Sequence, residues 1–94
     1  MRIYPKSQVV YRGGDIVIQC RDEGDVRADV YWARLDGNTL PQGRSFDNRG
    51  RLEISQAKYR DSGAYICKAK NHEHAYGGRS IAIVKVYRGF YFRY

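Results

Sequence analysis

Asp61-Ser62-Gly63-Ala64-Tyr65-Ile66-Cys67, running on into Lys68-Ala69-Lys70, is the stretch that decides the fold. After a polar start, Tyr65, Cys67 and Ala69 fall on one face and Ile66, Lys68 and Lys70 on the other, the two-residue period of a strand. The chain has one other cysteine, Cys20, which ends Ile16-Val17-Ile18-Gln19-Cys20; Ile16, Ile18 and Cys20 again share a face. An even pair of cysteines in a small domain fits a structural disulfide made in an oxidising compartment. Closing a loop of that length stabilises a fold by about 4 kcal/mol in the chain-entropy account.

Outward from these two segments, the chain reads as short strands separated by turns. Gln8 to Tyr11 is strand-like, and Arg12-Gly13-Gly14-Asp15 is a turn. Residues 21–29 are polar and charged, a loop, before the strand Val30 to Arg34; Asp36-Gly37 or Gly37-Asn38 then supplies hairpin turn chemistry. Pro41-Gln42-Gly43 breaks the chain, and Asn48-Arg49-Gly50 turns it into the alternating Arg51-Leu52-Glu53-Ile54. Gln56 to Asp61 is a polar crossover with Ala57 or Tyr59 tucked inward. Residues 71–78 are a loop rich in His and Gly. Arg79 to Tyr87 is the longest strand, and Lys85 sets its phase: Ala82, Val84 and Val86 face the core, Ile81, Ile83 and Lys85 face out. Evenly spaced short strands, no helical period and one long-range cysteine pair predict an all-β sandwich.

Ninety-four residues make one domain. Residues 1–87 are assigned to it, and 88–94 to an aromatic tail that extends the last strand, begins a linker or is an appended extension. The start, Met1 to Pro5, carries no apolar leader, and no run approaches transmembrane length; a module from a longer secreted chain would look this way. Nine tyrosines suggest several half-buried rings with their hydroxyls on water or backbone. The formal charge of +7 and a pI near 9.6 favour anionic partners, although ten acids are interleaved with the seventeen bases.

Cys20, Trp32 twelve positions on, and Asp61-Ser62-Gly63-Ala64-Tyr65-Ile66-Cys67 together resemble the framework of immunoglobulin domains. The resemblance implies a Greek-key sandwich with Cys20 and Cys67 bridging its sheets, Trp32 packed on the disulfide, and Tyr65 turning its hydroxyl back to the backbone upstream. Leu52 and Gly63 complete the signature, and Asp61 would brace the crossover, with Arg51 as its implied partner. The compact region between Trp32 and Leu52, and the short step from Cys67 to the last strand, resemble the I-set type. The phrases Trp32-Ala33-Arg34-Leu35-Asp36-Gly37-Asn38-Thr39-Leu40-Pro41 and Gly50-Arg51-Leu52-Glu53-Ile54 are similar to the tandem modules of perlecan-type basement-membrane heparan sulfate proteoglycans. That likeness covers roughly residues 8 to 87 and implies an extracellular, secreted spacer module that binds other matrix or cell-surface proteins beside neighbouring modules. A cell-surface adhesion or receptor domain, weakly pairing with itself, is the rival. An intracellular muscle-type module with reduced cysteines is a third reading.

The outward residues of the Cys67 and last strands define the candidate sites. Tyr31, Ile66, Ile81 and Ile83 form an apolar patch rimmed by Lys68 and Lys85, a protein interface in outline. Lys68, Lys70 and Lys85, or Arg44, Arg49 and Arg51 at the second turn, are candidate contacts to a polyanion such as heparan sulfate. His72 and His74 flank Glu73, but two ligands on a loop make no metal site. Asn38, Asn48 and Asn71 lack the hydroxyl residue of a glycosylation sequon. No phosphate loop, H-E-x-x-H motif or partnered nucleophile occurs, so no catalysis and no cofactor are expected. Nor is nucleic acid the expected partner of a disulfide-bonded module, and no membrane insertion is expected.

Overall fold

The β-branched runs and turn signals become eight strands in two four-stranded sheets. The computed structural model describes residues 2–21, 29–69 and 79–88. The strands are β1 (Arg2–Tyr4), β2 (Ser7–Tyr11), β3 (Ile16–Arg21), β4 (Val30–Arg34), β5 (Ser45–Asn48), β6 (Arg51–Ile54), β7 (Gly63–Ala69) and β8 (Arg79–Tyr87), with a turn of 3₁₀ helix at Tyr59–Asp61. One sheet has the order β1-β3-β6-β5, the other β2-β8-β7-β4. All pairings are antiparallel except β2 with β8, which run parallel from Ser7↔Ile83 to Tyr11↔Tyr87. The first strand is thus divided between sheets, β1 joining β3 and β2 joining β8 on either side of a cis Tyr4–Pro5 peptide.

The core lies between the sheets. Ile16, Ile18 and Cys20 from β3 meet Leu52 and Ile54 from β6, and across the gap Trp32, Tyr65, Cys67, Ala82, Val84 and Val86 from the second sheet. The expected phase of β8 holds: its even-numbered apolar residues are buried, while Ile81, Ile83 and Lys85 are exposed. Cys20 and Cys67 form the inter-sheet disulfide, with Cα atoms 6.5 Å apart. Each aliphatic side chain removed from water here contributes about 1.5–3 kcal/mol.

Two strands were not expected. β1 is three residues long and β5 is the polar Ser-Phe-Asp-Asn, so neither carries an apolar run to signal it. The turn at Leu35–Gly37 ends β4 with Gly37 N–H donating to Arg34 O, but it makes no hairpin. The next strand belongs to the other sheet, because the open neighbour of β4 is not continued there. The Arg49-Gly50 turn does form a hairpin, between β5 and β6, both residues having positive φ as a two-residue connection requires. Ala57, rather than Tyr59, points inward; Tyr59 is exposed. The expected loops at 22–28 and 71–78 lie outside the described residues, as do His72, His74, Lys70 and residues 89–94.

Candidate binding face

Asp61, Tyr65 and Trp32 are the sequence-marked residues whose polar atoms lie deepest, and each is fully engaged in holding the fold. Tyr65 donates its hydroxyl to Asp61 O at 2.6 Å and accepts from Arg34 Nη1 at 3.0 Å. Burial pushes the Tyr65 phenol above its ordinary range, against the nearby Arg34 charge. Trp32 Nε1 donates to Gly50 O at 2.7 Å. Asp61 does not pair with Arg51. Its carboxylate accepts from Arg44 Nη1 and Nη2 at 2.9 and 3.0 Å and from Lys58 N–H at 2.8 Å. Burial pushes the Asp61 carboxyl up, but these hydrogen bonds and the charges of Arg44 and Arg34 outweigh it, and the net shift is downward. The register explains the change of partner: Arg51 points outward on β6, where its nearest acid is Glu53, at 2.8 Å.

Arg34 is a hub the sequence did not mark. It also reaches Ser62 O at 2.9 Å and Asp36 Oδ2 at 3.0 Å, with its guanidinium 5.2 Å from the Tyr65 ring centre. The Arg34 hydrogen bonds, helped by Asn38 N–H, hold the exposed Asp36 carboxyl down at about 2. Between these groups lies an open cleft of about 450 Å³ whose walls include Arg34, Leu40, Arg44, Arg60 and Asp61. Two of its three arginines are already committed to Asp36 and Asp61.

The apolar surface lies elsewhere, on the outer face of β2-β8-β7-β4. Ile81 and Ile83 are 44% and 51% exposed. Their register neighbours on β7 are Ile66 and Ala64, and beyond Ile66 lies Ala33 of β4. Tyr31 stands opposite Lys68, and Lys85 opposite Val9. Five of the six expected interface residues therefore offer surface on one sheet. Ile66 is the correction: at 2% exposed it offers almost none, flanked by Ala33 of β4 on one side and Ile81 of β8 on the other. Val9 and Leu35, each more than half exposed, extend the apolar area and were missed. The adjacent Val9-Val10 pair gave no alternation from which to phase β2.

The two expected sets of polyanion contacts lie in different surroundings. Arg44 is turned onto Asp61 and Arg51 onto Glu53; Arg49 caps the β5–β6 hairpin, Lys68 and Lys85 share the apolar face, and Lys70 lies outside the described residues. Among the described residues, no group of three or more His, Cys, Asp and Glu could hold a metal ion.

Comparison with known proteins bears on this geometry. A family model for the immunoglobulin domain matches residues 1–71. Neural cell adhesion molecule L1.1 of Danio rerio is 33% identical over 70 residues, 73% of this chain and 6% of that protein. The basement membrane proteoglycan of Caenorhabditis elegans is 35% identical over 68 residues, 69% of this chain and 2% of its own length. The chain thus spans a small fraction of the curated relatives it matches. Among solved structures, neural ectodermal development factor IMP-L2 aligns at TM-score 0.62 and 30% identity, over 88% of this chain and 39% of that one. Dpr1 IG1 bound to DIP-eta IG1 aligns at TM-score 0.68 and 22% identity, over 89% and 91%, a likeness of fold. The family match takes in seven of the eight strands, together with the disulfide and the Tyr65–Asp61 corner, so the chain belongs to the immunoglobulin domain family.

Proposed function

We propose that this chain is a non-catalytic extracellular module of the I-set type, from a matrix proteoglycan of the perlecan kind, acting as a spacer between neighbouring modules and as a protein-binding surface. The basement membrane proteoglycan among its relatives and the inter-sheet disulfide support that setting. Among the described residues no further strand joins the second sheet between β4 and β5, which supports the I-set reading.

The observation that carries the binding role is the outward row of β8. Ile81 and Ile83 stand half exposed between Lys68 and Lys85, and no acid occupies an outward position of β2, β4, β7 or β8 among the described residues whose side chains are placed. An apolar centre with a basic rim fits a protein surface with an apolar centre and a carboxylate rim. Two copies of this face would oppose lysine to lysine.

Staining of decellularised basement membrane with the tetramerised chain tests this. Ile81→Ser/Ile83→Ser, which leaves the charge unchanged, should abolish staining; undiminished staining would remove the face from consideration. The relatives named as adhesion molecules favour a second reading, pairing between copies. Sedimentation velocity decides it: a dimer that the same double variant dissolves would select pairing, and a monomer at high concentration would reject it.

A further inference from the structure

A second surface lies at the end of the sandwich where β8 finishes, and it is basic and aromatic rather than aliphatic. Tyr11 and Tyr87 are register partners with ring centres 5.3 Å apart. Arg12 N–H donates to Tyr87 O at 3.1 Å, which brings Arg12 to the end of β8. The 57–59 segment is tied to the same end, because Gly13 N–H donates to Ala57 O and Ala57 N–H to Gly14 O, both at 2.8 Å. Lys58 and Tyr59 follow directly. The Arg88 guanidinium lies 4.2 Å from the Tyr59 ring centre, and Lys85 Nζ lies 5.3 Å from that of Tyr87. Lys85 and Arg88 thus sit over two of three exposed tyrosines, and the backbone brings two more exposed bases, Arg12 and Lys58, to the same end.

The charge here is one-sided. The acids of this end among the described residues are Asp15, exposed in the β2–β3 turn, Asp36, held by Arg34, and Asp61, held by Arg44. Gathering like charge opposes folding through self-repulsion. Two of the bases lie over ring faces, which attract a cation and leave it its full charge, with its outer N–H groups open to a ligand.

We propose that this end of the sandwich binds a sulfated polysaccharide. Arginine forks and lysine point charges suit successive sulfates, and tyrosine hydroxyls donate to sulfate or sugar oxygens. A nucleic-acid backbone presents a similar row of charge. The choice of a glycan rests on the extracellular setting proposed above, whereas the site itself rests on its own residues. It differs from the expected sets: Arg44 and Arg51 are ion-paired, and Lys85 is the one residue taken over from them.

The test is heparin-affinity elution in a salt gradient, with titration of a heparin octasaccharide at several salt concentrations. Wild type should elute well above ~0.15 M, physiological ionic strength. Lys58→Glu/Arg88→Glu should elute near or below that point, with a salt dependence of binding shallower by about two, one for each base lost. Arg49→Glu/Arg51→Glu, with the same charge change at the β5–β6 hairpin, should elute close to wild type. All positions changed are exposed, and thermal melts confirm that each variant folds. The proposal is overturned if the first double variant elutes with wild type or moves no further than the second. It is also overturned if desulfated heparin binds equally well, or if an oligothymidylate binds more tightly through the same residues. Ile81→Ser/Ile83→Ser should leave heparin elution unchanged, so loss of the protein-binding face and loss of this site are read separately.

Discussion

Arg44 holds Asp61 by both carboxylate oxygens, at 2.9 and 3.0 Å, in a pair whose side chains are 14% and 3% exposed. The same guanidinium also donates to Ser55 O and Gln56 O, so it ties the start of β5 to the crossover before β7. Replacing Arg44 by Met leaves the Asp61 charge buried and short of its partner. The expected loss is about 3 kcal/mol, the low end for breaking such a pair. Urea unfolding measures it, and Arg44→Met/Asp61→Asn should lose less than the sum of the two single changes.

Acid should expose the same pair. The Asp61 carboxyl titrates below its unfolded value in the folded chain, so its contribution to stability is fully present above about pH 4. That contribution is lost as pH falls through the lower folded value. The melting temperature of wild type should therefore drop below about pH 4, and that of Asp61→Asn should drop less steeply. Parallel curves would show that other carboxylates govern the acid limb.

Gly50 sits where three requirements meet. Its φ is +95°, its O accepts from both Trp32 Nε1 and Cys20 N–H, and a Cβ there would collide with Cys20 O and stand 2.6 Å from Val30 Cγ2. The obstacle is backbone and cannot swing aside. Gly50→Ala should cost more than about 3 kcal/mol, since strain of about 1–3 kcal/mol is joined by the clash. Gly37→Ala, at φ +88° with nothing within 4 Å of the added carbon, should cost only the strain. Denaturant midpoints of the two variants separate clash from strain.

What the sequence revealed divides along physical lines. Positions fixed by two-residue alternation around a cysteine or a lysine were legible: Ile16, Ile18, Tyr65, Val84 and Val86 all lie in the core. Partners fixed only by folding were not. Arg51 and Arg44 are both arginines near Asp61 in the chain, and register alone, turning Arg51 outward, decides between them. Ile66 has the outward phase of an interface residue, yet it is 2% exposed while Ile81 beside it is 44% exposed, a difference that alternation does not carry. The basic end joins residues from three separate segments, 11–12, 58–59 and 85–88, and no local pattern links them.

Asp47 shows how the sandwich protects one open edge. β4 is the last strand of its sheet among the described residues, so every second N–H along it points away from β7. One of these, Trp32 N–H, donates to Asp47 Oδ2 at 2.8 Å, and the other oxygen accepts from Gly50 N–H at 3.0 Å. A carboxylate from β5 thereby joins the edges of the two sheets and fills a position where a foreign strand could pair. Asp47→Ala removes the acceptor from both donors, at a cost of about 1–3 kcal/mol for buried groups left unpaired. Hydrogen exchange tests the local claim more sharply than stability does. The Trp32 amide should lose its protection in Asp47→Ala, while the Tyr31–Lys68 and Ala33–Ile66 pairings on the other side of β4 keep theirs. If all β4 amides lose protection together, Asp47 acts on the stability of the whole sandwich rather than on its edge.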